Sequence, residues 1–363
     1  MPVGYTLPQM RIFPLSSLLR SLLALVAFSG ALAQHPAAPS TTPSAPPLRI
    51  YSVDVEGGQS TLIVAPSGDS LLVDTGWPGF DGRDATRIQA AMKDAGIARI
   101  GHLLTTHYHR DHVGGLPQLV VKVPVGEFLD HGPNREDSDV TRQDFSTYLK
   151  AIEGRTRRTV HPGDRIDLKG VSVLVVAADG EHLAALPGIQ PTPNPACAAE
   201  QPWPDDPTEN ARSVGFLLTF GHFRFLDLGD LTGQKEVALV CPRSPLPAVD
   251  LFLVSHHGLD KSNSAPLIAA IHPRVAIMNN GTRKGGSPEA WQRVHDGKGL
   301  ETLWQIHTAE ASDAAHNSPQ PLIANPQGLP DAGAYFKVAA HADGSFALTN
   351  TRTGETKRYA RRF

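Results

Sequence analysis

The sequence is short of several things, and each shortage narrows its reading. It has no surplus of one charge: 33 Lys+Arg against 36 Asp+Glu leave a formal net charge of -3. That offers no general electrostatic attraction to nucleic acid. It has only two cysteines, Cys197 and Cys241. In an oxidising compartment this pair could close one disulfide. It has no long apolar run after the first thirty-odd residues, so nothing there reads as a transmembrane helix of ~20 apolar residues. No internal repeat is visible. What is present is a globular composition, 40% hydrophobic and 19% charged in 363 residues. Such a chain can bury the core of one large α/β domain or two small ones. Histidine stands out, with sixteen residues, several of them clustered. Histidines grouped near carboxylates point to a metal site.

The first residues read as an export signal. Arg11 and Arg20 supply positive charge, Ser21 to Phe28 form a short apolar stretch, and Ala31-Leu32-Ala33 fits small-x-small cleavage before Gln34. Met10 is an alternative start. The apolar stretch is too short to cross a ~30 Å hydrocarbon layer. Residues 1–33 are therefore expected to be removed, leaving a periplasmic or secreted chain with no stable membrane span. Residues 34–47, rich in Pro, Ala, Ser and Thr, read as a tether. Residues 48–363 read as the folded domain.

Within that domain, strand-like runs cover Leu48 to Val55, Ser60 to Ala65 and Ser70 to Asp74. Asp81 to Ala95 has helical spacing, with Ile88, Ala91, Met92 and Ala95 on one face. Ile100 to Thr105 is a short apolar run, Leu116 to Val121 a helix, and Val125 to Leu129 a strand. Val171 to Ala177, Val214 to Thr219, Arg224 to Leu228, Asp250 to Val254 and Val275 to Met278 continue the strands. Tyr335 to Ala339 and Phe346 to Thr349 form a hairpin around Asp343-Gly344. Leu186 to Glu209, with many prolines, reads as a long loop, the first place to look for specificity. The mixture suggests one layered α/β domain.

The strongest chemical signal is Thr105-Thr106-His107-Tyr108-His109-Arg110-Asp111-His112-Val113-Gly114-Gly115. Residues two apart lie on one side of an extended segment, so His107 and His109 can share a metal. The chain then turns into a helix whose first turn holds Asp111 and His112, suited to a second metal. Imidazole and carboxylate are ligands for zinc, and also for iron or manganese.

This His-x-His-x-Asp-His run after a strand resembles the signature of the metallo-β-lactamase superfamily. Other pieces match in order. Leu71-Leu72-Val73-Asp74-Thr75-Gly76 resembles that fold's early strand-end Asp, and Leu226-Asp227-Leu228-Gly229-Asp230 its bridging Gly-Asp. Val254-Ser255-His256-His257-Gly258 and Asp54-Val55-Glu56-Gly57-Gly58 are similar to motifs of the branch that includes the hydrolase domain of the competence DNA-uptake channel. The resemblance implies an α/β αββα sandwich, two mixed sheets flanked by helices, holding two divalent transition metals, zinc first, with manganese or iron as alternatives. It assigns His107 and His109 to one metal, Asp111 and His112 to the other, and Asp230 between them. His256 is the favoured further ligand. His257 and Asp111 are given catalytic roles, orienting the nucleophile or protonating the leaving group. Asp74 would organise the site through hydrogen bonds. The pattern departs in one place: a further metal histidine is missing. His131, His161 and His182 are candidates, His131 foremost. Lys284, in a Gly-rich turn with Arg283, could hold an anionic group, and His307 could line the pocket.

The leading functional expectation is an exported hydrolase that uses a metal-bridging hydroxide on an ester, lactone, amide or phosphodiester of a small molecule. The alternatives are a phosphodiesterase or nuclease acting on nucleotides or nucleic acid, and a non-catalytic metal-bound sensor.

Overall fold

The computed structural model describes residues 46–362. The expected signal peptide and nearly all of the tether lie outside the described residues. From Leu48 onward, two nine-stranded sheets run through the domain. The first proceeds from Thr356–Tyr359 through Phe346–Asn350, Phe336–Ala340, Leu48–Ser52, Thr61–Val64, Ser70–Val73, Ile100–Leu104 and Val125–Asp130 to Arg157–Thr159. The second proceeds from Ile323–Asn325 through Thr302–His307, Val275–Met278, Leu251–Leu253, Phe223–Asp227, Gly215–Phe220 and Val171–Ala178 to Arg165–Leu168, with Glu181–His182 beside Val171–Ala178.

Side chains alternate across a strand, and here both faces are buried. Ile50, Ile63, Leu71, Val73 and Leu104 meet Val173, Phe216, Phe225, Leu253, Ile277 and Trp304 between the sheets. Their neighbours Tyr51, Leu62, Val64 and Leu72 point the other way, under helices. Each fully buried aliphatic side chain contributes about 1.5–3 kcal/mol. Strands buried on both faces read as nearly continuous apolar runs, as SLLV and TLIV do. The outer face of the first sheet is covered by α1 (Arg83–Asp94), α2 (Arg110–Val113), α3 (Leu116–Val120) and α4 (Asp139–Ala151). The second is covered by α5 (Gly233–Val240), α6 (Ala265–Ile271) and α7 (Pro288–His295). This is the expected αββα sandwich. The hairpin Phe336–Ala340/Phe346–Asn350 docks on Leu48–Ser52, with Leu48 opposite Ala340 and Ser52 opposite Phe336.

Leu186 to Glu209 is less free than a bare loop. Thr192–Pro193 pairs with Arg243–Ser244, Asn194 Nδ2 donates to Val240 O and Pro266 O, and Cys197 is disulfide-bonded to Cys241. That bond spans a sequence separation of 44, for which chain entropy predicts about 4 kcal/mol of stabilisation. Urea unfolding of Cys241→Ser should show a loss of about 2–4 kcal/mol. An unchanged midpoint would mean the loop is held by its hydrogen bonds alone.

The site is positioned by topology. Ser70–Val73, Ile100–Leu104 and Val125–Asp130 run parallel in one sheet, and Phe223–Asp227, Leu251–Leu253, Val275–Met278 and Thr302–His307 in the other. Asp74, the His107-to-His112 run, Gly229-Asp230, His256-His257 and Lys284 all follow the carboxyl ends of these strands, where open α/β sheets place their ligands.

Candidate metal centre

His107 lies just beyond the end of Ile100–Leu104, and the chain stays extended through His109 (φ -70°, ψ 150°) before α2 begins. The strand-to-helix change sends His107 and His109 one way and Asp111 and His112 another. The loops around them are stitched together. Asp74 N donates to Leu104 O at 2.8 Å, Thr75 N to His112 O at 2.7 Å, Val214 N to Thr106 O at 2.9 Å and Gln59 N to Asp111 O at 3.1 Å. Two glycines are required by close approach. A Cβ on Gly58 would stand 2.3 Å from Asp111 O, and one on Gly115 2.0 Å from Thr75 O.

One ligand atom from each of Asp111, His112, Asp230 and His257 lies within 4.8 Å of the others, and all four residues are buried. His112 Nε2 is 3.2 Å from Asp230 Oδ2 and 3.2 Å from Asp111 Oδ2. His257 Nε2 is 3.1 Å from Asp111 Oδ2 and 3.3 Å from Asp230 Oδ1. His107 Nε2 lies 3.9 Å from Asp230 Oδ2, and it is buried without a hydrogen-bond partner. His109 stacks edge-on to His107, with ring centroids 4.7 Å apart. The sequence favoured His256 over His257 as ligand. The structure brings both to the cleft: His257 joins the tight group, and His256 Nε2 stands 3.5 Å from Asp230 Oδ2 and 3.4 Å from Asn210 Nδ2. Both histidines adopt φ of 55°, a conformation costing about 1–3 kcal/mol per non-glycine residue. This turn is what brings two successive side chains to one cleft. Asp74, at φ 58°, is a third such residue.

The far ring nitrogens of His107, His109, His112 and His256 are anchored, which leaves the near ones to face the cleft; His257 Nδ1 is buried without a partner. Asp74 Oδ2 is 2.7 Å from His112 Nδ1 and accepts from Thr106 Oγ1 at 2.7 Å, while Asp74 Oδ1 accepts from Thr106 N at 2.8 Å. His109 Nε2 is 2.8 Å from Glu136 Oε2, which leaves its Nδ1 available. Ser213 Oγ and Thr106 Oγ1 approach His107 Nδ1, and Ser262 Oγ approaches His256 Nδ1. Histidines that ligate metals are oriented in this way by carboxylates and hydroxyls. An unpartnered buried imidazole nitrogen beside two carboxylates is a donor set that fits divalent metals.

Three expected residues sit elsewhere. His131 is buried against Glu209, its Nε2 2.8 Å from Glu209 Oε2, behind the motif and not in the cluster. Glu209 also accepts from Tyr108 N at 3.3 Å and Arg135 N at 2.6 Å, so the pair supports the backbone between His107 and His109. His161 is exposed, and His182 lies on the short strand beside Ala177 with its Nδ1 3.4 Å from the neighbouring Leu183 O. None of these three supplies the missing histidine; His256 and Asn210 come closest to that position. His307 does not line the cluster either. It bonds Asp54 Oδ1 at 2.8 Å, near Glu56. That trio also has metal-like spacing, but Arg87 Nη1 already neutralises Asp54 Oδ2 at 2.8 Å. Lys284 does reach the cluster: its Nζ pairs with Asp111 Oδ2 and lies 5.1 Å from the Trp77 ring centroid. Arg283 is directed outward, 88% exposed, to Glu310. Glu136, Glu209 and Trp77 carried no signal in the sequence, since their partners arrive from distant segments.

Burial, the largest influence on Asp230, drives its carboxyl upward, yet His112, His257 and His256 together hold it well below the usual range. Asp111 is likewise held low, burial being outweighed by His112 and Lys284. Burial pushes His107 well below its ordinary value and His256 down to about 4. Burial lowers His112 and His109 too, but the carboxylates around them, Asp230 and Asp111 for His112 and Glu136 for His109, outweigh it and raise both; metal binding would displace those protons, since anionic carboxylates and neutral imidazoles are the ligating forms. Asp227 is different: burial raises it to about 7, against the Gly229 N–H and the Gln59 amide. It therefore serves as a support and is absent from the ligand group.

A family model described as the metallo-beta-lactamase superfamily matches residues 53–196. Among curated proteins, the chain is 36% identical over 115 residues to an atrochrysone carboxyl ACP thioesterase of Pseudocercospora fijiensis, covering 30% of this chain and 32% of that protein. It is 32% identical over 113 residues to a lactamase-like protein of an Aspergillus species, covering 30% and 33%. The chain thus spans about a third of the length of the curated relatives it matches. A metallo-beta-lactamase fold protein from Bacillus subtilis aligns with a TM-score of 0.42 and 11% identity over 72% of this chain and 96% of that one. The residues matched by the metallo-beta-lactamase superfamily model contain the whole His107-to-His112 motif, so over residues 53–196 the chain is similar to that superfamily.

Proposed function

We propose that this chain is an exported, metal-dependent hydrolase of a small ester-type substrate, thioesters included. One observation carries the reading: the convergence of Asp111, His112, Asp230 and His257 within 4.8 Å, beside the unpartnered His107 Nε2. The thioesterase relatives support the ester class. The Cys197–Cys241 disulfide supports an oxidising compartment.

His107, His109 through Nδ1, and His256 would hold one ion. Asp111, His112 and His257 would hold the other, with Asp230 shared. Zinc suits this mixture of imidazole and carboxylate. Two such ions supply Lewis acidity and lower the pKa of water toward neutrality. The protein's part is orientation. Asp74 and Glu136 fix two ring orientations, and Gly58 and Gly115 let the backbones of the site loops pack closely together. Lys284, 30% exposed, offers a positive charge at the mouth to an anionic substrate oxygen.

The test is an ester and thioester screen on the mature protein before and after chelation. Activity lost with chelator and restored by zinc is the expected result; activity indifferent to chelation would sink the reading. Lys284→Ala should keep its metal content by elemental analysis and lose about 10- to 100-fold in kcat/KM. Unchanged kinetics would remove Lys284 from substrate binding.

A further inference from the structure

The segment Trp203–Asn210 and the start of α5 enclose a cavity of about 550 Å³, within the usual range for small-molecule sites. It adjoins the metal centre directly. Asn210 lines it, and Asn210 Nδ2 is 3.4 Å from His256 Nε2, which is itself 3.5 Å from Asp230 Oδ2. Its walls are of two kinds. Trp203, Pro204 and Pro207 present ring surface. Thr232, Gln234 and Asn210 present polar atoms, and Thr232 Oγ1, Gln234 Oε1 and Asn210 Oδ1 are buried without partners.

Thr232 is the most telling. It occupies the N-cap position of α5, where a threonine hydroxyl ordinarily bonds the helix's first N–H groups. Here it makes no cap hydrogen bond, and the residue is only 4% exposed. Burying a hydroxyl without a partner is unfavourable, and a ligand hydroxyl or carbonyl would offset that. Gly233, next in sequence, is required by the wall itself: a Cβ there would stand 2.3 Å from the Trp203 indole. Trp203 is also held by Glu200 Oε1, which accepts from Nε1 at 2.5 Å, and lies under the Arg293 guanidinium at 5.5 Å. The rim carries Asp205, Asp206 and Asp260 against a single Lys261, so it disfavours anions.

We infer that this cavity is the subsite for an uncharged, hydroxylated ring of the substrate. Apolar ring faces would meet Trp203 and the prolines, and hydroxyls would satisfy Thr232, Gln234 and Asn210. The inference rests on the hydrolase reading for the word substrate, but the binding it predicts does not need turnover. It also divides the cleft: the ring binds on the α5 side, and any anionic group binds on the Lys284 side.

The experiment is saturation-transfer NMR and calorimetry on the mature protein, with phloroglucinol and benzoate as probes. Phloroglucinol is expected to bind, with at least tenfold weaker affinity in Thr232→Val and in Trp203→Ala, and with affinity recovered in Thr232→Ser. Benzoate is expected to bind at least tenfold more weakly than phloroglucinol. Equal binding of the two probes, no binding of phloroglucinol, or indifference to both substitutions would overturn the subsite. Running the titration beside an esterase assay on the zinc-loaded protein separates the two ideas. Phloroglucinol binding in a zinc-loaded protein with no esterase activity would leave the subsite standing and the hydrolase reading fallen. Hydrolysis intact with no probe selectivity would do the reverse.

Discussion

Asp230→Asn is expected to lower hydrolytic turnover by about 10³-fold or more and to remove most of the bound metal. Asp230 is 1% exposed and is approached by His107, His112, His256 and His257 at 3.9, 3.2, 3.5 and 3.3 Å. Among the described residues it is the one carboxylate with an ion-pair distance to each of these four histidines. The amide keeps the shape but loses the negative charge, and its nitrogen cannot ligate a cation. Elemental analysis should fall from about two ions per chain toward none, with the far-ultraviolet circular dichroism spectrum preserved. Full activity with full metal content in Asp230→Asn would remove Asp230 from the shared position and, with it, the proposed two-metal arrangement.

The second large effect lies outside the ligand group. Glu209→Ala is expected to destabilise the domain by about 3–5 kcal/mol. Glu209 is fully buried (0% exposed). Its carboxylate receives Tyr108 N, Arg135 N and His131 Nε2, and its own N–H donates to Glu136 Oε2 at 3.0 Å. Truncation strands two buried donors, Tyr108 N and His131 Nε2, and the partly buried Arg135 N at once. Because Tyr108 lies between His107 and His109, and Glu136 anchors His109, the damage should reach the metal site. Urea unfolding measures the first consequence and zinc affinity the second. A loss below about 1 kcal/mol would show that water replaces the carboxylate and that the network is not structural.

Much of this molecule was readable along the chain. The strands Leu48–Ser52, Thr61–Val64 and Ser70–Val73 and the helix Arg83–Asp94 lie where apolar periodicity put them. The closing hairpin is also in place, with Thr356–Tyr359 added beyond it. Helix Asp139–Ala151 was not anticipated. Its sequence is strongly polar, and among its residues only Thr141 and Tyr148 are fully buried, so it lacks the apolar stripe that marks a helix. The short strands Arg157–Thr159 and Ile323–Asn325 were missed because three residues carry too little pattern.

The site divides along the same line. His107, His109, Asp111 and His112 are close in sequence, and the switch from strand to helix fixes their directions by local geometry alone. Sequence by itself therefore determined the metal motif, the family resemblance and the layered fold. It could not order His256 and His257, because their placement depends on two consecutive left-handed residues held by Gly229 O and the Gly286 N–H from other loops. Nor could it find Glu136 for His109, 27 residues away, or Glu209 for His131, 78 residues away. It sent His307 to the pocket, where the fold instead gave it to Asp54, 253 residues distant. Such pairings were decided only in tertiary structure. Hydrogen bonds and ion pairs reach only a few ångströms, so their partners are chosen by which segments the two packed sheets bring to the same edge, and spacing along the chain carries no record of that choice.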